Sequence, residues 1–310
     1  MIILRNILIA LSLIVLPILA DATARAGSRI AVLISSNEAP FTETVTGFRD
    51  YLARQGVQAD YAIERLDGDA AKTGPAVQRI KAGGASLVFT VGSAATDAAV
   101  KEIADIPIVA CLVLRTENLK RSTNATGVAL EFPVATQFEW IQRMLPEARS
   151  IGVLYNAGEN QRTVHDAAEI AKKAGLTLEA ERVRSPQDVP AALNRLSKRV
   201  DVLWGIPDSI MLAPPIAKNV LLFSFRNSIP FVGPSATWVK AGALYSLDWD
   251  YTDLGGQCGE MADRILRGAA PASLPAATPR KVRYTLNTVT ARQMKLFFPD
   301  QLVRGAHQLY

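Results

Sequence analysis

The chain repeats one pattern of elements. Ser28-Arg29-Ile30-Ala31-Val32-Leu33 and Ser150-Ile151-Gly152-Val153-Leu154-Tyr155 each open an alternation of apolar strand and amphipathic helix. In the first copy a strand at Ile30–Ile34 runs into the polar loop Ser35–Phe41. A helix follows over Thr42–Gln55, with Val45, Phe48 and Leu52 on one face and Gly56 as its stop. A strand over Val57–Ile63, a helix over Ala70–Ala82 and a strand at Leu87–Val91 complete it. In the second copy the helix Asn160–Ala174 ends at Gly175. The strand Leu176–Val183, the helix Pro186–Ser197 and the strand Asp201–Trp204 then follow in the same order. Strands alternating with helices imply a parallel sheet covered on both faces. The repetition of that order implies two similar α/β halves.

Ligands of open α/β sheets sit beyond the carboxyl ends of the strands, so two facing halves make a cleft. Its expected walls are the loops at Ser35, Gly92, Asn156 and Pro207. The stretch Leu87–Ile103 is central. Its buried strand ends at Gly92, and the alanine-rich helix after it opens with Ser93-Ala94-Ala95-Thr96. Unpaired N–H groups at that helix start, with the hydroxyls of Ser93 and Thr96, form either a carboxylate seat or a plain capped turn. Three stretches read as crossings between the halves: Gly127–Val134, Gly242–Asp250 and Ala269–Pro279. The expected lobes are therefore residues 27–130 plus 246–270, and 131–245 plus 276–310.

Residues 1–26 read as an export signal. Arg5 supplies the positive end, Ile7–Ala20 is apolar but short for a membrane span, and Ala24-Arg25-Ala26 offers a cleavage site before Gly27. Cleavage near Ala20 and an uncleaved anchor are the alternatives. A soluble, exported product without stable membrane insertion is expected. The net charge of +5 comes from scattered Lys and Arg without a basic run, which argues against a nucleic-acid partner. Two histidines, His165 and His307, are too isolated to hold a metal. Cys111 lies in an apolar strand and Cys258 on a helix. Nothing local pairs them, so two buried thiols are expected, although export permits a disulfide. The chain lacks a Gly-x-Ser-x-Gly elbow and has no glycine fingerprint after its first strand, so neither a hydrolase nor a dinucleotide enzyme is indicated.

Further pieces give a family resemblance. They are Thr126-Gly127-Val128, Met144-Leu145-Pro146-Glu147-Ala148, Ile151–Asn156, Pro207-Asp208-Ser209, Ile229–Gly233, Gly242-Ala243-Leu244, Asp250-Tyr251 and Ile265–Gly268. In this order they resemble the ABC-transporter substrate-binding proteins that include tryptophan- and tyrosine-binding members. The resemblance implies the type I periplasmic-binding-protein fold: two Rossmann-like lobes with parallel sheets, a ligand cleft between them and three hinge crossings. It implies a monomeric, non-enzymatic periplasmic protein without a cofactor. Such a protein binds a small carboxylate-bearing ligand, for example an amino acid, and its partners are permease subunits in the inner membrane. A sensor module feeding a membrane receptor uses the same cleft and stays open as the alternative. Gly27 stands where many members carry a lipid-bearing cysteine, and Cys111-Leu112-Val113 stands where relatives often have Asp-Pro.

The candidate ligand residues follow the cleft. Ser35 and Ser36 offer hydroxyls and Phe41 an apolar wall, unless Phe41 packs inward. Gly92, Ser93, Ala94 and Thr96 form the anion seat. Asn156 and Asn160 reach across, with helix capping as the other role for Asn160. Asp208 awaits a ligand ammonium or else caps the next helix, expected from near Ser209. Tyr245, Asp248 and Trp249 stand in the second crossing, where an aromatic can stack on a ligand or fill the hinge. Trp204 and Trp238 read as core.

Overall fold

The computed structural model describes residues 27–114, 119 and 121–310. The export signal read at residues 1–26 lies outside the described residues. Among the described residues no helix is long and apolar enough to cross a membrane.

The first lobe carries β1 (Ser28–Ile34), α1 (Ala39–Arg54), β2 (Ala59–Arg65), α2 (Thr73–Ala82), β3 (Leu87–Val91), α3 (Ser93–Glu102), β4 (Ile108–Val113) and β5 (Ala125–Ala129). Its five strands run parallel in the order β2-β1-β3-β4-β5. Both faces of the sheet are covered, as the continuous apolar runs require. Ile30, Val32 and Ile34 pack with Phe48 and Leu52 of α1, while Ala31 and Leu33 pack under α2 and α3. The Phe48 and Phe89 rings stack at 3.9 Å. Helix α1 starts at Ala39, earlier than Thr42, because Pro40 in its first turn has its φ already set for a helix.

The second lobe carries α4 (Val134–Met144), β6 (Ser150–Asn156), α5 (Ala157–Lys173), β7 (Thr177–Val183), α6 (Val189–Leu196), β8 (Val202–Trp204), α7 (Pro214–Asn227), β9 (Phe231–Val232), α8 (Ala236–Lys240) and β10 (Tyr245–Trp249). The chain next enters α9 (Tyr251–Leu266). It then returns through β11 (Val282–Leu286), α10 (Thr288–Gln293), α11 (Asp300–Arg304) and β12 (Gln308–Leu309). The sheet order is β12-β11-β10-β9-β8-β6-β7. The matching glycine stops hold: Gly56 and Gly175 both close their helices at φ 72°, a conformation that only glycine adopts without strain.

Two expectations about the crossings need correction. β10 was expected to straddle the lobes, with the first lobe resuming at residue 246. Instead β10 pairs along its whole length with β11, from Tyr245 opposite Leu286 to Trp249 opposite Val282. That pair is antiparallel, unlike the rest of the parallel plan. The cause is topological: β10 leaves the lobe and β11 re-enters it at the same end. The second crossing is thus reduced to Asp250, whose carboxylate caps α9 through Asp253 N–H at 3.0 Å and accepts from Arg283 at 3.2 Å. The third crossing also shifts. Ala277 pairs with the edge strand β5, exchanging bonds of 2.9 Å with Gly127 and Ala129. The chain therefore stays with the first lobe through Ala277, past the expected end at 270 and the expected start of the second lobe at 276, and leaves it within the expected crossing Ala269–Pro279. Arg280 and Lys281 in the return segment hold Asp253 at 3.0 and 3.4 Å.

Helix α9, although it follows a second-lobe strand, packs against α1 of the first lobe. Glycines normally weaken a helix by about 1 kcal/mol each, yet α9 contains Gly255, Gly256 and Gly259. Contact explains two of them. A Cβ on Gly255 would lie 1.9 Å from Thr44 O, and one on Gly259 would lie 2.8 Å from Tyr51 Cβ. Across the same seam a Cβ on Gly47 would lie 1.9 Å from Thr252 O. The two helices touch backbone to backbone.

Candidate ligand-binding site

Strand polarity places the site. The loops after β1, β3, β6 and β8 leave at the carboxyl ends of their strands, where α/β sheets bind ligands. A cavity of about 330 Å³ lies there, within the range of small-molecule sites. Phe132, Trp204, Tyr245, Leu247 and Trp249 make its apolar walls, and Gln137, Asn160 and Thr163 bring polar groups. A larger depression of about 820 Å³ lies beside Ser150, Asp201 and Phe297. It sits at the amino ends of β6 and β8, the wrong end for this fold, and is open to solvent.

Local chemistry fixes the walls. Trp204 Nε1 donates to Gln137 Oε1 at 2.8 Å, so the indole edge is anchored. Trp249, the last residue of β10, stacks on Phe132 of the first crossing with centroids 5.5 Å apart and planes 8° apart. The buried Tyr245 hydroxyl and Trp249 Nε1 have no hydrogen-bond partner among the described residues. Burial pushes the Tyr245 phenol far above its ordinary range, so it stays a protonated donor. Beside the cavity, burial and the Asp248 carboxylate push the Tyr251 phenol up to about 12.

The opposite wall is the start of α3. Gly92 has φ 98°, and a Cβ there would lie 2.6 Å from Ser35 Oγ and 2.8 Å from Phe41 Cε1, so these three residues are packed together. Ser35 Oγ accepts from Ala95 N–H at 3.0 Å, and Ser93 Oγ accepts from Leu114 N–H at 3.3 Å. The N–H groups of Ser93 and Ala94 have no acceptor among the described residues. Among the described residues, no hydrogen bond joins the loops after β1 and β3 to those after β6 and β8.

The family model for ABC transporter substrate binding proteins matches residues 29–310. The chain belongs to the ABC transporter substrate-binding protein family. It is 26% identical over 222 residues to the tyrosine-binding protein of Clostridioides difficile (strain R20291), covering 68% of this chain and 63% of that protein's length. It resembles the L-Trp complex of an ABC domain from Streptococcus pneumonia at 24% identity and a TM-score of 0.59, covering 92% of this chain and all of that one. It also resembles the ligand-free, open structure of a substrate-binding protein with adhesive properties from Clostridium difficile. There the identity is 23%, the TM-score 0.76, and the coverage 91% of this chain and 98% of that one. The fold is that of the periplasmic binding proteins, and the family is solute-binding rather than catalytic.

Within this substrate-binding fold the expected residues fall into three groups. Asn160, Tyr245 and Trp249 line the cavity. Ser35, Phe41, Gly92, Ser93 and Ala94 gather on the facing wall, and Ser36 lies beside them, its Oγ accepting from Glu38 N–H at 3.4 Å. The third group is committed internally. Thr96 was expected to expose its hydroxyl; it is fully buried, bonded to Gly92 O at 3.0 Å and to Thr90 Oγ1 at 2.9 Å. Asp208 was read as an ammonium partner. Its carboxylate instead accepts from the N–H groups of Asn156 (2.8 Å), Ile210 (3.0 Å) and Met211 (2.8 Å). It thereby holds the turn that delays the next helix from Ser209 to Pro214. Asn156, not Asn160, caps α5 through Gly158 N–H at 3.0 Å, because α5 starts at Ala157. Asp248 Oδ1 accepts from Trp249 N–H at 2.7 Å. Trp204, read as core, is buried but also forms a cavity wall. Phe132 and Gln137 were missed. Their signal was position alone, in and just after the first crossing.

Glu159 was missed too. Hydrogen bonds from Ser209, Oγ and N–H, and from Asn156 Nδ2 hold its carboxyl below the usual carboxylate range. It ties the loops after β6 and β8 into one unit.

Proposed function

We propose that this chain is the extracytoplasmic solute-binding component of an ABC importer, and that its solute is an amino acid with an aromatic side chain. The observation that carries the reading is the pairing of two unlike walls. Trp204 and Trp249 line one cavity at the carboxyl ends of the second lobe's strands, and at the carboxyl end of β3 in the first lobe the Ser93 and Ala94 N–H groups have no acceptor among the described residues. The cavity takes an apolar ring and the helix start takes a carboxylate. Glu131, on the cavity rim, takes the ammonium in place of the internally committed Asp208. The tyrosine-binding and L-Trp-bound relatives support this choice of solute.

Thermal denaturation with each of the amino acids tests it. An aromatic amino acid at one hundred times its Kd adds about 2.7 kcal/mol of stability and raises Tm by roughly 5–10 °C. The Ala94→Glu variant, which sets a carboxylate at the seat, should keep its own Tm and lose that increment. No increment from any amino acid would end the reading.

Import requires closure, and ligand contacts with both walls exist only when the walls meet. Shifting a population from 1:99 to 99:1 needs about 5.5 kcal/mol of differential affinity, which two or three charge-assisted hydrogen bonds of about 1.5–3 kcal/mol each can supply. Trp249 sits where the motion is concentrated. With the stabilising amino acid, small-angle scattering should show a smaller radius of gyration and the Trp249 emission should shift. In Trp249→Phe the compaction should remain while that part of the emission change is lost. Binding without compaction would count against transport.

A further inference from the structure

Cys111 and Cys258 are far apart in sequence, and both are buried free thiols. The fold nevertheless turns them toward each other. Alternate residues of β4 face opposite ways: Ile108 and Ala110 point under α2 and α3, whereas Val109 and Cys111 point into the cluster beneath α1 and α9. On α9, Leu254, Cys258 and Ala262 recur at helical spacing and enter that same cluster. Cys258 Sγ lies 3.6 Å from the carbonyl oxygen of Ala110, the residue just before Cys111, and both side chains enter one buried cluster. On its β5 side β4 shifts register between Ala110 and Val113, with Leu112 at φ 54°, while on its β3 side Cys111 stays paired with Val91.

We infer that Cys111 and Cys258 are a disulfide-forming pair that staples α9 to β4 whenever the chain folds in contact with a disulfide oxidant. The step is thiol–disulfide exchange. The thiolate of one cysteine attacks a sulfur of the oxidant's disulfide, giving a mixed disulfide and releasing one oxidant thiolate. The second cysteine then attacks the protein sulfur and expels the other oxidant thiolate. Two electrons and two protons pass from the pair to the oxidant, which leaves as a dithiol. The exchange takes place before α9 settles on β4. In the folded protein both sulfurs are sealed from solvent, so an oxidant cannot reach them, and burial holds the Cys258 thiol well above its ordinary value. The inference does not depend on the ligand.

Refolding separates the outcomes. The purified protein is unfolded with reductant, then refolded in buffer rich either in oxidised glutathione or in reduced glutathione. It is finally denatured in iodoacetamide for mass analysis. Protein folded in the oxidising buffer should carry no alkyl group until reduced and two afterwards, with one proteolytic peptide pair joined through Cys111 and Cys258. Its Tm should exceed that of the reduced-folded protein by several degrees, since the bond closes a long loop. Cys111→Ala and Cys258→Ala should each abolish that difference. Two alkylated thiols, or glutathione on either cysteine, after oxidising refolding would overturn the inference. So would a redox-dependent Tm that persists in either variant.

Discussion

Asp208→Ala is expected to cost about 3 kcal/mol of stability in the absence of any ligand, because it leaves buried backbone N–H donors without an acceptor. Its side chain is 3% exposed and accepts from three backbone N–H groups, those of Asn156, Ile210 and Met211. Without it those N–H donors lose their acceptor, and each buried donor left unsatisfied costs about 1–3 kcal/mol. Asp208→Asn is the sharper test. Its amide keeps one acceptor oxygen, which can serve Ile210 and Met211, but turns an N–H₂ toward Asn156 N–H. It should lose an intermediate amount. Urea denaturation of the three proteins gives the series directly. A wild-type-like Asp208→Ala that has lost only ligand affinity would return Asp208 to the role of an ammonium partner.

Gly255→Val should be nearly as damaging, for a steric reason. Any Cβ at 255 falls 1.9 Å from Thr44 O, and a backbone carbonyl in the middle of α1 cannot rotate away. The helices must part along the seam from Gly47 to Gly259. Overpacking of this kind costs about 3 kcal/mol at the upper end of its usual range, lowering Tm by roughly 5–10 °C. Gly256→Ala is the control. A Cβ there meets only the far end of the Arg280 side chain, at 3.9 Å. The higher helix propensity of alanine should leave that variant as stable as the parent or slightly more so. Equal losses at 255 and 256 would mean that helix strain, not contact with α1, is the cause.

The sequence made the layered plan legible because the plan is local. Apolar runs such as Leu87–Val91 and stops such as Gly56 and Gly175 each act within one element. Residues whose role depends on distant partners were not legible. Tyr245–Trp249 reads equally well as a strand or as a crossing, and only its pairing with Val282–Leu286 decides. Asn156 and Asn160 are both good caps, and the choice fell on the one that ends the strand. Asp208 offered the same carboxylate to a ligand or to its own turn, and the turn took it. Thr96 looked available because its partner Thr90 lies on a strand whose facing residue cannot be read from spacing. The glycines of α9 carried a real signal, since three in one helix demand a close neighbour, but nothing local named α1 as that neighbour.

The stack of Trp249 on Phe132 has a mechanical consequence. Both rings line the cavity; Phe132 lies in the first crossing, and Trp249 ends β10 one residue before the Asp250 crossing. In a door whose hinge pin is exposed inside the frame, an object placed against the pin sets how far the door can swing. If the lobes close on a solute as proposed, a thin planar one in this cavity would let them shut fully, whereas a thicker one would act as a wedge near the fulcrum, where the smallest gap gives the largest opening at the rim. Selection between solutes of like charge would then depend on thickness, measured as an angle.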